Sequence, residues 1–326
     1  MTLLLDRSTV NSLLDLDFAR EQAKDAFLSL EENQVTMLPR VATPIASFDA
    51  THLTMPCYVR RPDRPHLLCT KIAAVYPNNP TLGLPTTTAF LCLQDAETGA
   101  LLSLMDAESI TATRTAAASA MAAEVLSSSD ARTLGIVGAG VQARAHLAAL
   151  LRVRPLQEVR ISARTQCPLD SFQSLVPDGV KLKWEERAEM AVRGADIVCA
   201  TTNSAKPVIH DEWVAPHALV VAVGSFRPDM AELDIPLVQR STVVVDQIEA
   251  AQNGAGELIA AAREGALDWA HVRTLGQVLR DQPPLRTDRP IIYKSVGLAV
   301  QDAYLADWVY RRALAEQAGQ PFNLDN

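Results

Sequence analysis

The sequence is poor in cysteine, and its cysteines are not arranged as a disulfide framework or a metal site. Their number is odd, and no C-x-x-C pair or Cys/His cluster occurs. This pattern predicts reduced thiols, most of them buried, and no bound metal. The cysteines are Cys57, Cys69, Cys92, Cys167 and Cys199.

Long hydrophobic segments and an excess of basic residues are also lacking. No apolar run approaches the length that spans a bilayer, and the charged segment 1–7 is too short for a signal peptide. The formal net charge is −8 and the isoelectric point is near 5.3. These values argue against nucleic acid or an anionic membrane as the main partner. We expect a soluble cytoplasmic protein.

The composition is that of an ordinary globular protein, with 48% hydrophobic and 21% charged residues. The length of 326 residues suggests about two domains. Residues 8–33 have helical spacing, and short β-type runs separated by turn residues occupy 35–104. This second pattern, with a hairpin turn at Asp95–Gly99, predicts an antiparallel sheet. Residues 106–126 are rich in Ala and contain no Gly or Pro, which predicts one helix capped by Asp106.

From residue 127 onward, apolar strands alternate with helical segments, as in a doubly wound sheet. A further helix is predicted at 295–314, after a Pro-rich stretch at 283–290. We predict a Rossmann-type dinucleotide-binding domain at 127–298, and an α+β domain built from 1–126 with 299–326. The strands are expected near 134–138, 158–162, 180–184, 197–202, 219–223 and 242–246.

A glycine motif follows the first of these strands. Gly138-x-Gly140-x-x-Ala143 stands between apolar Leu134–Val137 and a helix-forming segment. The first Gly permits a tight turn, the second lets backbone amides approach a pyrophosphate, and the small third residue lets the helix pack on the strand. The phosphates then lie at a helix N-terminus, which favours anions. The motif predicts a bound dinucleotide cofactor.

The residues at the end of the second strand indicate which nicotinamide cofactor the protein binds. NAD-preferring sites usually carry Asp or Glu there, to accept a hydrogen bond from the ribose 2′-hydroxyl. Here Ser162, Arg164 and Thr165 occupy this place, without a carboxylate. The Arg164 guanidinium suits a phosphate. We therefore predict NADP(H) over NAD(H); the alternative is that Arg164 is a solvated surface residue.

Three cations outside the nucleotide fold stand in unusual settings. Arg40 follows a proline in a loop, Lys71 lies within an apolar strand, and Arg114 lies on the Ala-rich helix. An unpaired buried charge is costly, so each needs an anionic partner. That partner is either a protein carboxylate or a substrate carboxylate held by the three cations together.

Polar residues also follow several predicted parallel strands, where ligands of doubly wound sheets bind. Thr201 and Thr202 end one strand, and Gly224 ends the next. Ser295 is placed at the start of the last helix, whose amides favour anions. Asp246 either contacts the cofactor region or caps the following helix, and we favour the cap.

These motifs together resemble the ornithine cyclodeaminase/mu-crystallin family over nearly the whole chain. The matching segments are Pro39-Arg40, Lys71 with Tyr76–Asn79, Leu84–Thr86, Asp106–Ala117 including Arg114, Gly138–Ala143 and Ser295–Gly297.

The resemblance implies a homodimer and assigns roles to residues. Arg40, Lys71 and Arg114 are expected to hold the substrate carboxylate, with Val296 beside the substrate, and Lys71 and Arg114 are the catalytic candidates. Acid–base chemistry makes Lys71 our candidate proton donor, because two nearby arginines would lower its pKa towards the working pH. The residues expected along the cofactor are Thr86, Arg114, Gly138, Ala139, Gly140, Val141, Gln142, Arg164, Thr165, Thr201, Thr202, Val223, Gly224 and Ser295.

One position separates the branches of the family. Cyclodeaminases resemble one another in an Asp after the fifth strand, where this chain has Phe226. A phenyl ring cannot bind or deprotonate an ammonium as a carboxylate does. The Gly224–Asp229 segment looks like the ketimine reductases, which favour NADPH. The expected activity is reduction of Δ1-pyrroline-2-carboxylate or Δ1-piperideine-2-carboxylate to L-proline or L-pipecolate. The alternatives are a cyclodeaminase with bound NAD, in which Asp229 takes a shifted role, an amino-acid dehydrogenase, and a cofactor-dependent binding protein.

Overall fold

The structure, a computed structural model, describes residues 2–165, 169–282 and 288–323. The chain forms two compact units. Unit 1 comprises Met1–Arg114 with Ala299–Asn326, and unit 2 comprises Thr115–Leu298. The division lies inside the Ala-rich helix, whereas the predicted domain boundary stands at the end of that helix.

The elements follow in chain order. Up to residue 126 they are β1 (Thr2–Leu5), α1 (Arg7–Leu13), α2 (Leu16–Glu31), β2 (Val35–Met37), β3 (Val41–Ile45), β4 (Ala50–Val59), β5 (Leu67–Val75), β6 (Thr87–Asp95), β7 (Leu101–Asp106) and α3 (Glu108–Leu126).

The elements of unit 2 that follow are β8 (Thr133–Val137), α4 (Val141–Val153), β9 (Glu158–Ser162), α5 (Asp170–Gln173), β10 (Lys181–Trp184), α6 (Ala188–Val192), β11 (Ile197–Ala200), β12 (Leu219–Ala222), α7 (Ile235–Arg240), β13 (Thr242–Val245), α8 (Ile248–Gly254), α9 (Gly256–Arg263), β14 (Arg273–Thr274), α10 (Leu275–Asp281) and β15 (Ile291–Lys294). The chain then returns to unit 1 with α11 (Ala299–Glu316) and β16 (Gln320–Phe322).

Unit 1 is built on a largely antiparallel sheet, as predicted from the β-type runs of 35–104. Its strand order is β16-β1-β7-β6-β5-β4-β2, with β3 paired to β4. The predicted hairpin turn joins β6 to β7, where Gly99 adopts a left-handed φ of 77°. Asp106 accepts a hydrogen bond from the Ser109 amide, which confirms the predicted cap of α3.

Side chains alternate across this sheet, so one face of β5 carries Leu67, Cys69, Lys71 and Ala73. All four are buried, and α11 packs against β4, β5 and β6. An apolar strand face covered by a helix is the arrangement that hydrophobic burial favours. Lys71 therefore lies where the core of unit 1 is formed.

Unit 2 has the predicted Rossmann-type architecture. Its parallel sheet has the order β10-β9-β8-β11-β12-β15-β13-β14. The order reverses between β8 and β11, and ligands of such sheets bind at the carboxyl ends of the strands beside that reversal. The core includes Val198, Val220 and Ile292 from neighbouring strands.

The end of unit 2 differs from the prediction at the start of the last helix. The last helix begins at Ala299 and not at Ser295, because Ile291–Lys294 is a buried strand between β12 and β13. Residues 283–287 of the Pro-rich stretch lie outside the described residues.

Four of the cysteines are described, and all four are free thiols. Cys57, Cys69 and Cys199 are buried, as predicted, and Cys92 is half-buried. Cys167 lies outside the described residues. Among the described residues, no helix has both the length and the apolar character needed to cross a membrane.

Candidate functional site

Unit 1 brings two of the three predicted cations together in its interior. Lys71 projects from the middle of β5, and Arg114 lies on α3. Their relative exposures are only 6% and 7%. Arg40 lies directly before β3 and is half-buried. Its charge lowers the pKa of Lys71, so the three cations form one electrostatic group.

Asp302, in the first turn of α11, is the anion that pairs with this group. Its Oδ2 lies 2.5 Å from Lys71 Nζ, and its Oδ1 accepts a hydrogen bond from Arg114 Nε at 3.1 Å. Arg114 Nη1 also donates to Gln301 Oε1 at 3.3 Å, and Lys71 Nζ lies 3.5 Å from Thr111 Oγ1. One carboxylate thus contacts two buried cations.

Lys71, Arg114 and Asp302 together carry a net positive charge, and this environment lowers the pKa of Lys71. Burial, the largest effect, lowers the pKa of Lys71, Asp302 raises it, and Arg114 and Arg40 lower it again; the result is a pKa of about 8. Burial raises the pKa of Asp302, but Lys71 and Arg114 outweigh that effect and hold it below its usual value. Two buried cations, Lys71 and Arg114, face one carboxylate, so a second anion is electrostatically favoured here.

The sequence left the partner of these cations open, and the structure provides a protein carboxylate for two of them. Asp302 was not among the predicted residues. A signal existed, because an acid in the mostly apolar stretch 299–306 needs a charged partner if that helix is buried. Which cations it meets depends on how α11 packs against β5.

In unit 2, the turn between β8 and α4 has the geometry expected of a pyrophosphate site. Gly138 adopts a φ of 115°, and a Cβ there would lie 2.5 Å from Thr201 Oγ1. A Cβ on Gly140 would meet no atom within 4 Å. Gly140 is the N-cap of α4, and no side chain of the described residues caps this helix. The free amides and the open space at Gly140 fit a dinucleotide phosphate.

The other predicted residues of this turn surround it. Ala139 is half-buried, and its carbonyl accepts from Arg144. Val141 is largely exposed. Gln142 is half-buried, and its backbone carbonyl contacts His146 Nδ1.

The end of β9 presents the residues expected near the ribose. Ser162 is buried, and its carbonyl accepts from the Gly138 amide at 2.8 Å. Arg164 and Thr165 are exposed beyond the strand. An exposed guanidinium at this position is accessible to a 2′-phosphate.

Buried Glu232 joins the carboxyl ends of β11 and β12. Its Oε1 accepts from the Thr202 amide at 2.6 Å and from Thr202 Oγ1 at 2.9 Å. Its Oε2 accepts from the amides of Gly224 and Ser225 at 2.7 and 3.1 Å. Burial, the largest effect, raises the pKa of Glu232, although Lys294 and the Thr202 donors lower it. Two predicted cofactor residues, Thr202 and Gly224, are thus held by an acid that sequence reasoning missed.

The neighbouring predicted residues lie at the same sheet edge. Thr201 and Val223 continue the parallel hydrogen bonding beyond the strands, since their amides donate to Val137 and Ala200. Lys294, fully buried at the end of β15, donates to the Ser225 carbonyl at 2.6 Å.

A second buried carboxylate holds the segment after β15. Asp246 Oδ2 accepts from Ser295 Oγ at 3.0 Å and from the amides of Val296 and Gly297 at 2.9 Å. The favoured interpretation of Asp246 as a helix cap is wrong, because Gln247 is the N-cap of α8. Its carboxylate instead contacts Ser295, a residue predicted to lie along the cofactor. Three hydrogen-bond donors after β15 converge on the Asp246 carboxylate and stabilise it in this position.

The segment after β12 carries no free acid at the place where a cyclodeaminase is expected to have one. Phe226 stands there and is exposed. Asp229 lies close in sequence, but its two oxygens accept from Arg227 at 3.1 Å each. Thr86 is exposed in unit 1 before β6, and its carbonyl accepts from Tyr76. Among the described residues, no group of three or more His, Cys, Asp or Glu side chains could hold a metal ion.

Comparison with known proteins places these features in a family context. The sequence profile of the ornithine cyclodeaminase/mu-crystallin family matches residues 1–317. Ketimine reductase mu-crystallin of Macropus fuliginosus is 35% identical over 293 residues, which are 90% of each chain.

Two solved structures are similar along nearly their whole length. Thermococcus litoralis Δ1-pyrroline-2-carboxylate reductase, in complex with NADH and L-proline, superposes with a TM-score of 0.92 at 32% identity, covering 98% of this chain and 100% of the other. An archaeal alanine dehydrogenase dimer with bound NAD gives a TM-score of 0.91 at 31% identity, covering 99% of each chain.

Proposed function

Since the chain belongs to the ornithine cyclodeaminase/mu-crystallin family, we propose that it reduces a cyclic ketimine carboxylate with NADPH. The substrate is Δ1-pyrroline-2-carboxylate, Δ1-piperideine-2-carboxylate or both, and the product is L-proline or L-pipecolate. The observation that carries this proposal is the pair of buried cations Lys71 and Arg114, which share the single carboxylate of Asp302 and so keep a net positive charge.

The cluster supports recognition of one carboxylate. Arg114 offers a planar fork of donors, of which Nε and Nη1 contact Asp302 and Gln301. Arg40 and Lys71 add positive charge at the same place. A substrate carboxylate entering this low-dielectric setting is held by charge-assisted hydrogen bonds. Binding the carboxylate also orients the attached C=N bond, and orientation supplies much of the acceleration in two-reactant steps.

Lys71 is the proposed proton donor to the imine nitrogen. Its pKa of about 8 leaves most of the ammonium protonated near neutral pH, yet the proton is held less tightly than by an exposed lysine. A general acid works best when its pKa lies near the working pH. As the C=N carbon gains a hydride, the nitrogen takes the proton from Nζ, and an amine and a neutral lysine result.

The residues of unit 2 support NADPH as the cofactor. Bound NADPH supplies the hydride. The α4 amides and Gly140 would hold the pyrophosphate, and Arg164 would hold the 2′-phosphate. Thr202, Gly224 and Ser295, ordered by buried carboxylates, would line the nicotinamide end. The nicotinamide cofactor agrees with the NADH and NAD complexes of the similar structures, and the preference for NADPH is ours.

The segment after β12 favours a reductase over a cyclodeaminase, because its acidic side chains are already engaged in hydrogen bonds. Ring closure with loss of ammonia needs a base for the side-chain amine. Phe226 cannot serve, and Asp229 is engaged by Arg227. Glu232 is buried and already accepts four hydrogen bonds.

We also propose a homodimer. On β5 and β6, the sheet face opposite to Lys71 bears Ile72 paired with Phe90, and Phe90 is 45% exposed. An exposed apolar surface of this kind favours association. The cytoplasmic location expected from the composition stays a prediction.

Absorbance of reduced nicotinamide at about 340 nm provides the test. We expect NADPH oxidation with five- or six-membered cyclic imine carboxylates, and slower oxidation of NADH. Ammonia release from ornithine or lysine without added cofactor would instead indicate a cyclodeaminase. Alanine-dependent reduction of NAD would indicate an amino-acid dehydrogenase, and ligand binding without any turnover would indicate a binding protein.

A further inference from the structure

We propose that Asp302 is a positioning residue of the reaction: it holds Lys71 and Arg114 in place and keeps Lys71 protonated as the donor. The inference deepens the proposed function and rests on it. Asp302 itself contacts neither the imine nor the cofactor in this proposal; it acts through the two cations.

The geometry assigns this role to one carboxylate. Each Asp302 oxygen faces a different cation, Oδ2 facing Lys71 at 2.5 Å and Oδ1 facing Arg114 at 3.1 Å. The three groups come from β5, α3 and α11. Asp302 has a relative exposure of 1%, so water does not weaken the pairing. A shift of this carboxylate would displace both cations together.

The position of Asp302 on α11 favours its ionised form. It lies in the first turn of an 18-residue helix, where the backbone dipole stabilises a negative charge. Because the carboxylate stays charged, it compensates Lys71 across the neutral pH range.

The charged and titratable groups around Lys71 come from several elements. Arg114 on α3 and Arg40 before β3 are positive and oppose its protonation. Cys57 on β4 and Cys69 on β5 also interact with Asp302, but burial raises the pKa of both thiols and keeps them neutral. Asp302 is thus the negative charge that offsets desolvation of the ammonium.

The experiment measures kcat and KM between pH 6 and 10 for full-length wild type and Asp302→Asn, with NADPH and cyclic imine. In wild type, we expect kcat/KM to fall as pH rises through about 8, where Lys71 loses its proton. In Asp302→Asn, we expect this fall to move to lower pH by about one to three pH units, the size of the effect of an adjacent opposite charge. At pH 7.5 we expect kcat to drop by about threefold for a shift of one pH unit and by more than about a hundredfold for a shift of three, and KM to change less, because Arg114 and Arg40 keep their charge. Glu316→Gln, an exposed acid on the same helix, is the matched control.

A purely structural role would lower the amount of folded enzyme without moving the pH profile. An unchanged profile in folded Asp302→Asn therefore overturns the proposal. If Asp302→Asn does not fold, the variant Asp302→Glu tests the proposal. It keeps the charge but displaces the carboxylate, so we expect a profile near wild type with reduced kcat, and wild-type kcat and KM would overturn the proposal.

A readout without turnover separates this proposal from the proposed function. The loss of Tm in Asp302→Asn relative to wild type should be largest near pH 6 and shrink as pH rises through about 8, where Lys71 loses its proton in wild type. Wild-type enzyme could prove inactive on every imine while Asp302→Asn still shows this pH-dependent loss of Tm. That result would refute the proposed imine reduction but not the pairing of Asp302 with Lys71. A pH-independent loss of Tm refutes the pairing of charges itself.

Discussion

Lys71 lies in an apolar strand, and its ammonium is nevertheless charged at neutral pH. Desolvation alone would favour the neutral amine, and the adjacent Asp302 offsets much of that penalty. A lysine whose pKa lies near the working pH can both attract an anion and release a proton. This combination is what reduction of an imine carboxylate requires of one side chain.

Lys71→Arg tests this dual role. A guanidinium keeps the charge but does not release its proton near neutral pH. We expect kcat to fall by about a hundredfold, with L-proline binding retained. The decline of kcat/KM near pH 8 should disappear from the profile. Lys183→Arg, on the exposed edge strand β10, is the control and should match wild type. Near-normal kcat in Lys71→Arg would exclude Lys71 as the donor.

Arg164 is the residue that decides the cofactor in our proposal, and it is exposed at the end of β9. In Arg164→Ala the KM for NADPH should rise by about tenfold or more, since a charge-assisted pair contributes about 1.5–3 kcal/mol. The KM for NADH should change little. Steady-state kinetics with both cofactors provide the measurement, and Arg187→Ala, another exposed arginine of unit 2, serves as the control. Equal losses for both cofactors would count against a 2′-phosphate contact.

At the scale of elements, buried carboxylates organise the carboxyl edge of the sheet in unit 2. Glu232 holds the ends of β11 and β12, and Asp246 holds the segment after β15. The parallel hydrogen bonding ends with the amides of Thr201 and Val223, and the next amides, of Thr202 and Gly224, donate to Glu232 instead. The loops that would contact a cofactor are therefore ordered by side chains behind them.

The turn between β8 and α4 permits a matched pair of glycine substitutions. At Gly140 an added Cβ meets only open space, so Gly140→Ala should fold with unchanged Tm yet bind NADPH about tenfold more weakly or worse. At Gly138 the left-handed φ and the contact with Thr201 oppose a side chain, so Gly138→Ala should lose more than about 1 kcal/mol of stability. Thermal unfolding and NADPH titration distinguish the two. Normal NADPH affinity in Gly140→Ala would remove the pyrophosphate assignment.

At the scale of the whole molecule, each of the two compact units carries one of the two candidate binding features. Unit 1 contains the cation cluster, and unit 2 contains the dinucleotide motif. The chain enters unit 2 through α3 and returns to unit 1 through α11, so Arg114 and Asp302 stand next to the two crossings. Residues far apart in sequence thus become neighbours in unit 1.

Cofactor binding should stabilise the whole protein, and the cofactor that binds more tightly should stabilise it more. A ligand at a hundredfold excess over its Kd adds about 2.7 kcal/mol to the free energy of unfolding. We expect NADPH to raise Tm by several degrees and NADH at the same concentration to raise it less. Differential scanning fluorimetry measures both shifts, with ATP as the control ligand. A larger shift with NADH would reverse the assigned preference.

The sequence alone determined the features that depend on local order. Glycines at fixed spacing between a strand and a helix predicted the dinucleotide turn, and alternating apolar runs predicted both sheets. Asp106 as the cap of α3 was also predictable, because a cap contacts an amide three residues away. The motif residues were sufficient to identify the family, which the profile match confirms.

Only the tertiary structure decided which charges meet. The pairing of Asp302 with Lys71 joins residues more than 200 positions apart, and neither spacing nor composition indicates it. The contacts of Glu232 and Asp246 were not predictable either. The donors to Asp246 directly follow β15, a strand that the sequence analysis had missed. Local patterns fix φ, ψ and the face a side chain occupies, whereas the partner of a buried charge depends on how distant elements pack, because only packing excludes the water that would otherwise solvate it.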